Sequence, residues 1–188
     1  MKFRMNPQET RILQALDAAM RSAASASRIE GIVRRVESKL YETPGEVLSW
    51  EAIPLDLYRS PLPDMIRSSW VFILRADTVT GAERHPNSHQ RMTSYRGRGD
   101  FQTRTRGPWR PHLLRSDPDA PLEERWISIP PNVWHQGVVG KENWVVVSFH
   151  TAAEKDLIEE RPAAASGVET RQRKYTEAGT EKRSRPWP

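Results

Sequence analysis

Between residues 47 and 150 the chain is a succession of short β-forming runs broken by turn residues, with no stretch of helical period between them. This constrains the fold more than any other feature. Two of the runs are apolar on both faces. In one, Trp70, Phe72, Leu74 and Ala76 alternate with Val71, Ile73 and Arg75. In the other, Trp144, Val146, Ser148 and His150 alternate with Val145, Val147 and Phe149. Successive side chains of a strand point to opposite sides, so a strand apolar on both sides is central in its sheet and covered on each face. Further strands are expected over 47–53, 91–96, 100–104, 111–115, 125–129 and 133–139. Gly97-Arg98-Gly99 reads as a hairpin turn, and Gly140-Lys141-Glu142 joins the last two strands. Many short strands with no intervening helices imply an antiparallel sandwich or barrel.

A helical segment precedes the strands. Asn6 is placed to cap, Pro7 to occupy the first turn, and Ile12, Leu13, Leu16, Ala19 and Met20 recur at helical spacing. Ile29, Ile32, Val33, Val36 and Leu40 continue it beyond a Ser/Ala-rich stretch at 22–27, as one long helix or as two with a break. It is the natural cover for the outer face of the sheet, with a partner subunit as the alternative. Thr43-Pro44-Gly45 ends it. Residues 154–160 read as a short helix or turn. The organisation expected is a helical segment over 1–46, a barrel over 47–160 and a disordered basic tail over 161–188.

Composition narrows the function classes. The chain has no cysteine, which excludes disulfides, thiolate metal sites and a cysteine nucleophile. No apolar run approaches the roughly 18 residues that span a bilayer, and the N-terminus shows no signal-peptide pattern, so a cytoplasmic location with no membrane partner is expected. The net charge is +5, but seven basic and three acidic residues from Arg161 onward account for +4 of it. The body is nearly neutral, and nucleic acid is not an expected partner.

The chemistry points to histidine. Two of the five histidines, His85 and His89, lie in the polar stretch 84–99, and His135 follows a Pro130-Pro131 pair. On a strand, residues at i and i+2 share a face ~6.6 Å apart, close enough for one ion, whereas i and i+4 are ~13 Å apart. His85 and His89 therefore serve one ion only if the chain bends at Pro86–Ser88, where Pro86 and Asn87 favour a bend. Asn87 is the i+2 partner. A carboxylate is wanting from the set: Glu83 lies just upstream, and Gln90 stands where one is wanted. The alternative is three ordinary loop or backbone-bonded histidines. His112 and His150 are single histidines without local partners.

Together, residues 80–99 and 129–138 resemble the two motifs of the cupin superfamily. Gly81 and Gly97 correspond to the opening and closing glycines of the first motif, and Pro131 to His135 matches the Pro-x-x-x-His of the second. The first motif is degenerate: the His-x-His pair is absent, and the family's glutamate falls on Gln90. The resemblance covers roughly 47–152. It implies a mainly β, cupin-type (RmlC-like) antiparallel barrel, open at one end, frequently a homodimer, with a small molecule in the mouth. It implies a divalent transition metal such as Fe, Mn, Ni or Zn held by His85 or His89, Gln90 and His135. Arg91 and Tyr95, with Trp134 at the rim and His150 at the mouth, make the expected substrate-binding set, Arg91 meeting a substrate carboxylate. A solvent-facing salt bridge is the alternative for Arg91, and a core or rim position for Trp126 and Trp134.

Two functions follow. The first is a mononuclear metal-dependent enzyme, oxygenase-like, acting on a small molecule. The alternative is a metal-poor cupin that binds a small ligand or serves in assembly. A 2-oxoglutarate-type oxygenase would fit His85, position 87 and His135, but needs an aspartate where Asn87 stands.

Overall fold

The computed structural model describes residues 6–162 and 170–174, with side chains over 6–162. The helical segment is two helices, α1 (Pro7–Arg21) and α2 (Ala23–Glu42). Asn6 caps the first through an Oδ1 that accepts from the Glu9 amide at 2.8 Å. The break falls on Ser22, whose backbone leaves the helical region and whose hydroxyl oxygen accepts from the Ser25 amide to start the second. Strands follow as β1 (Leu48–Ala52), β2 (Ser68–Leu74), β3 (Gln90–Arg96), β4 (Arg98–Arg104) and β5 (Leu113–Arg115). After one helical turn, α3 (Leu122–Arg125), come β6 (Trp126–Ile129), β7 (Trp134–Val139) and β8 (Trp144–His150). The stretch expected as a short helix or turn opens with a 3-10 turn at Glu154–Asp156 and then becomes a strand, β9 (Ile158–Pro162). Most of the tail expected to be disordered lies outside the described residues. Of the part within them, residues 161–162 end β9, and β10 (Thr170–Lys174) pairs antiparallel with it.

The strands form two facing layers. One sheet has the order β1-β2-β8-β3-β6, all antiparallel. The other has the order β5-β4-β7, and it is extended where Glu83 pairs with His135 and Arg84 with Glu160. Residues 83–84 thereby link β7 to β9. Trp70, Phe72, Leu74, Met92, Phe101, Leu114, Ile127, Val139, Trp144 and Val146 fill the space between the layers. The other face of the larger sheet, with Val71, Ile73, Val145, Val147 and Phe149, is covered by Leu13, Leu16, Ile29, Val33 and Val36 of the helices. This is the antiparallel barrel that the cupin resemblance implies, with the helical cover that the doubly apolar strands call for. No helix among the described residues is long and apolar enough to cross a membrane.

Charges lock the cover in place. Glu9 of α1 receives two N–H bonds from Arg91, at 2.7 and 2.9 Å, and Asp17 receives the Trp126 indole N–H at 2.9 Å. At the far end Arg75 donates to the carbonyls of Leu40 and Thr43, at 2.7 and 2.8 Å, a cation where the α2 dipole is negative.

Tight packing also dictates two glycines. Gly97 turns the β3–β4 hairpin with φ +85°, a conformation costly to residues with a Cβ. Gly99 faces the barrel interior, where a Cβ would lie 2.2 Å from the Trp144 ring. Trp144 is immobile: it is fully buried and its indole N–H donates to the Ser94 hydroxyl at 2.9 Å. Overpacking of this kind costs about 1–3 kcal/mol. Gly99→Ala is expected to lose that much stability in denaturant unfolding, whereas Gly140→Ala, beside open space, gains no such clash.

Candidate metal centre

The link formed by residues 83–84 decides the site. Glu83 and His85 are at i and i+2 on an extended segment held between β7 and β9, and both side chains point at His135 of β7. One donor atom from each of Glu83, His85 and His135 lies within 4.8 Å of the others. Glu83 Oε1 is 3.5 Å from His135 Nε2, too long for a good hydrogen bond. The His85 and His135 rings are 5.2 Å apart.

Both imidazoles are oriented from behind. His85 Nδ1 donates to the Ile158 carbonyl at 3.0 Å, and His135 Nδ1 donates to the Val133 carbonyl at 3.0 Å. Each Nε2 is thereby left as the lone-pair nitrogen, the tautomer a metal takes, and the backbone bond sets the ring angle. His135 Nε2 is buried without a hydrogen-bond partner. Burial, reinforced by the neighbouring His135, lowers the pKa of His85, which keeps it neutral and able to ligate. Burial alone would raise the pKa of Glu83, but the Arg161 cation outweighs it and holds the carboxyl well below the usual range. Arg161 Nη2 donates to Glu83 Oε2 at 2.6 Å, leaving Oε1 toward the histidines. Two neutral nitrogens and one carboxylate oxygen suit a divalent transition ion. Donor bonds of about 2.1 Å require the three atoms to draw together to roughly 3–3.4 Å.

The expected residues divide by layer. His85 and His135 meet as expected. Gln90 and His150 also face the interior: they are opposite each other on β3 and β8, and the His150 ring is 5.1 Å from that of His85. Gln90 Oε1 is buried without a partner. The His150 ring sits between two hydroxyls, with Nδ1 3.4 Å from Ser88 Oγ and Nε2 3.3 Å from Ser148 Oγ.

His89 is not brought to the centre. The chain bends at Pro86–Ser88 and passes from one layer to the other, which turns His89 to the outer face. There its Nε2 is 2.7 Å from Ser128 Oγ and 3.9 Å from Glu9. Arg91 and Tyr95 lie on that face too. Arg91 does bind a carboxylate, but it is that of Glu9, and Tyr95 packs against the helical core. Trp134 alternates with His135 and points out of the barrel, under the Arg84 guanidinium at 4.7 Å. Trp126 is buried beneath the helices, stacked on Phe149.

Glu83 and Arg161 complete the centre and were not among the expected ligands. The i, i+2 rule finds Glu83 when it is applied upstream of His85 rather than downstream. Arg161 carries no signal of this kind, since it comes from the strand beyond the barrel's expected end.

A cavity of about 850 Å³ lies between β4–β5 and β6. Thr103, Ile127, Ile129, Val133 and His112 are among its lining residues, and Glu83, His85 and His135 are not. Two of the lining residues are ladder partners of interior ones: Thr103 is directly opposite His135, and Ile129 directly opposite Gln90.

No protein-family model and no curated protein matches the chain. Among solved structures, the coconut allergen cocosin is 17% identical with a TM-score of 0.48, over 64% of this chain and 30% of that one. An oxalate oxidase in complex with the substrate analogue glycolate is 10% identical with a TM-score of 0.45, over 58% of this chain and 53% of that one. The capsular polysaccharide assembling protein CapF from Staphylococcus aureus is 15% identical with a TM-score of 0.43, over 55% and 26%. The chain thus spans between about a quarter and a half of the length of these neighbours.

The buried imidazoles make stability depend on pH. Burial, then the neighbouring His85 and His135, lower the pKa of His150 well below the ordinary 6.5. Above about pH 6.5 folded and unfolded chains are both neutral here and the stabilisation is complete. On acidification the unfolded chain takes up the proton first, and stability falls. Denaturant unfolding at pH 7.5 and 5.5 is expected to show the loss at the lower pH, and His150→Gln to reduce it.

Proposed function

We propose that this chain is a mononuclear metal-dependent enzyme of oxygenase type, acting on a small and largely apolar molecule held in the barrel mouth. One observation carries the reading: Glu83, His85 and His135 gather within 4.8 Å, with both Nδ1 atoms tied back to backbone carbonyls. Two histidines and one carboxylate are the donor set of non-haem iron oxygenases, and leave coordination positions open. The substrate space in this reading is the cavity that Thr103 lines one ladder partner from His135, whose 850 Å³ lies within the ordinary range for small-molecule sites.

The role of each residue follows from its geometry. His85 and His135 would hold the ion through Nε2, and Glu83 through Oε1. A bound Fe2+ would supply the redox chemistry of dioxygen activation. Thr103 and Ile129 place the substrate against the centre. His150, kept neutral by burial, adds a second imidazole beside His85. Gln90 offers an acceptor that no protein group uses.

The second reading is a metal-poor ligand-binding module. It is favoured by the Arg161 bond, which already balances the Glu83 charge without any metal. Elemental analysis of tag-free protein separates the two. Near-stoichiometric transition metal, lost in His135→Ala and retained in His89→Ala, is the expected result. Absence of metal, with a Tm unaffected by chelator, would sink the enzyme reading in favour of the module.

A further inference from the structure

We infer that Arg161 is a positioning residue that restricts Glu83 to one donor oxygen and so tunes the centre toward small transition-metal ions. The inference rests on the metal reading above and goes beyond it, since Arg161 touches neither the ion's position nor the cavity. Its guanidinium is gripped by two carboxylates: Nη2 donates to Glu83 Oε2 at 2.6 Å and Nε donates to Glu159 Oε1 at 2.6 Å. Glu159 is 1% exposed and the Arg161 side chain 11%, so the planar fork is held in one orientation.

The consequence for Glu83 is geometric. Oε2 is occupied by a fixed N–H, and Oε1 is the oxygen left facing His135. A large hard cation such as Ca2+ gathers six to eight oxygens and commonly takes both oxygens of a carboxylate. A carboxylate locked in this way offers one. The strand that carries Arg161 is itself anchored to the ligand segment. The Arg84 and Glu160 backbones exchange hydrogen bonds of 3.0 and 2.9 Å, and the Ile158 carbonyl receives His85 Nδ1–H. Strand β9 therefore supplies the outer contact of two of the three ligands.

The guanidinium also repels a cation, so its two effects oppose each other. Outer partners of metal ligands are worth roughly 10–100-fold in affinity, and a guanidinium fixed between Glu83 and the buried Glu159 makes positioning the larger effect. Full-length, tag-free protein titrated with Co2+, followed by visible absorption and with Ca2+ as competitor, tests this. Arg161→Gln is expected to bind Co2+ about 10–100-fold more weakly, to change the absorption envelope as the second oxygen is released, and to let Ca2+ compete better. Arg161→Lys keeps the charge beside both carboxylates and guards against failure to fold. Its single ammonium lacks the fork, and an intermediate loss is expected. Equal or tighter Co2+ binding by both variants, with an unchanged spectrum, overturns the inference and leaves the metal reading standing. A wild-type chain that takes up no Co2+ overturns both.

Discussion

The centre depends on one stretch of backbone belonging to both layers. Glu83 is bonded to His135 of β7, Arg84 to Glu160 of β9, and only a few residues later Gln90 is bonded within the larger sheet. A chain that changes layers must bend, and Pro86 to Ser88 is where it does. Asn87 secures the bend through its side-chain amide: Nδ2 donates to the Asp156 carbonyl at 2.7 Å, and Oδ1 accepts from the Ile158 amide at 3.1 Å. The bend has two products. Upstream, Glu83 and His85 look inward from the smaller sheet. Downstream, the alternation of β3 sends Gln90 and Met92 inward and His89 and Arg91 out to the helices.

This division explains why the two sides of the larger sheet have different chemistry although both are buried. The outer side is a contact between elements of the same chain, so most of its polar groups find partners: Arg91 meets Glu9 through Nε and Nη2, though its Nη1 is bare, and His89 meets Ser128. The inner side beside the cavity keeps polar atoms that nothing in the protein satisfies, His135 Nε2 and Gln90 Oε1. Buried polar groups are normally paired because leaving them bare costs about 1–3 kcal/mol each. His135 Nε2 is the one of these atoms that also belongs to a cluster of three donors.

The architecture was largely legible, and for a simple reason. Strands β2 and β8 are apolar on both sides, and that pattern alone required a cover, which α1 and α2 provide through Leu13, Leu16, Ile29 and Val33. His135 was legible from its proline-led segment. The inner and outer faces of β3 were not. A two-residue period separates Gln90, Met92 and Ser94 from Arg91, Thr93 and Tyr95, but does not say which set looks inward. In a sheet buried on both sides, burial gives no polarity to break the tie: the first five residues of β3 are all buried. The reading of Arg91 as the partner of a carboxylate had the right chemistry and the wrong face. Arg161 was illegible for a different reason. Its role arises from β9 pairing with a segment more than seventy residues earlier, and neither periodicity nor composition reports such a pairing.

The position of the carboxylate follows from where a cation is available to balance it. Position 90 lies between His150 and Ile129 on neighbouring strands, and Arg91 beside it is turned to the other face and committed to Glu9. Ionised oxygen buried there would face a neutral imidazole and apolar side chains, an unfavourable place for a charge. An amide keeps an acceptor oxygen at that point without the charge. Position 83 is different, because β9 lays Arg161 against it, and Glu159 fixes that guanidinium in place. The carboxylate therefore sits two residues before the ligand histidine rather than five after it. The glutamine at 90 and the extra strand at the end of the barrel are two parts of one electrostatic solution.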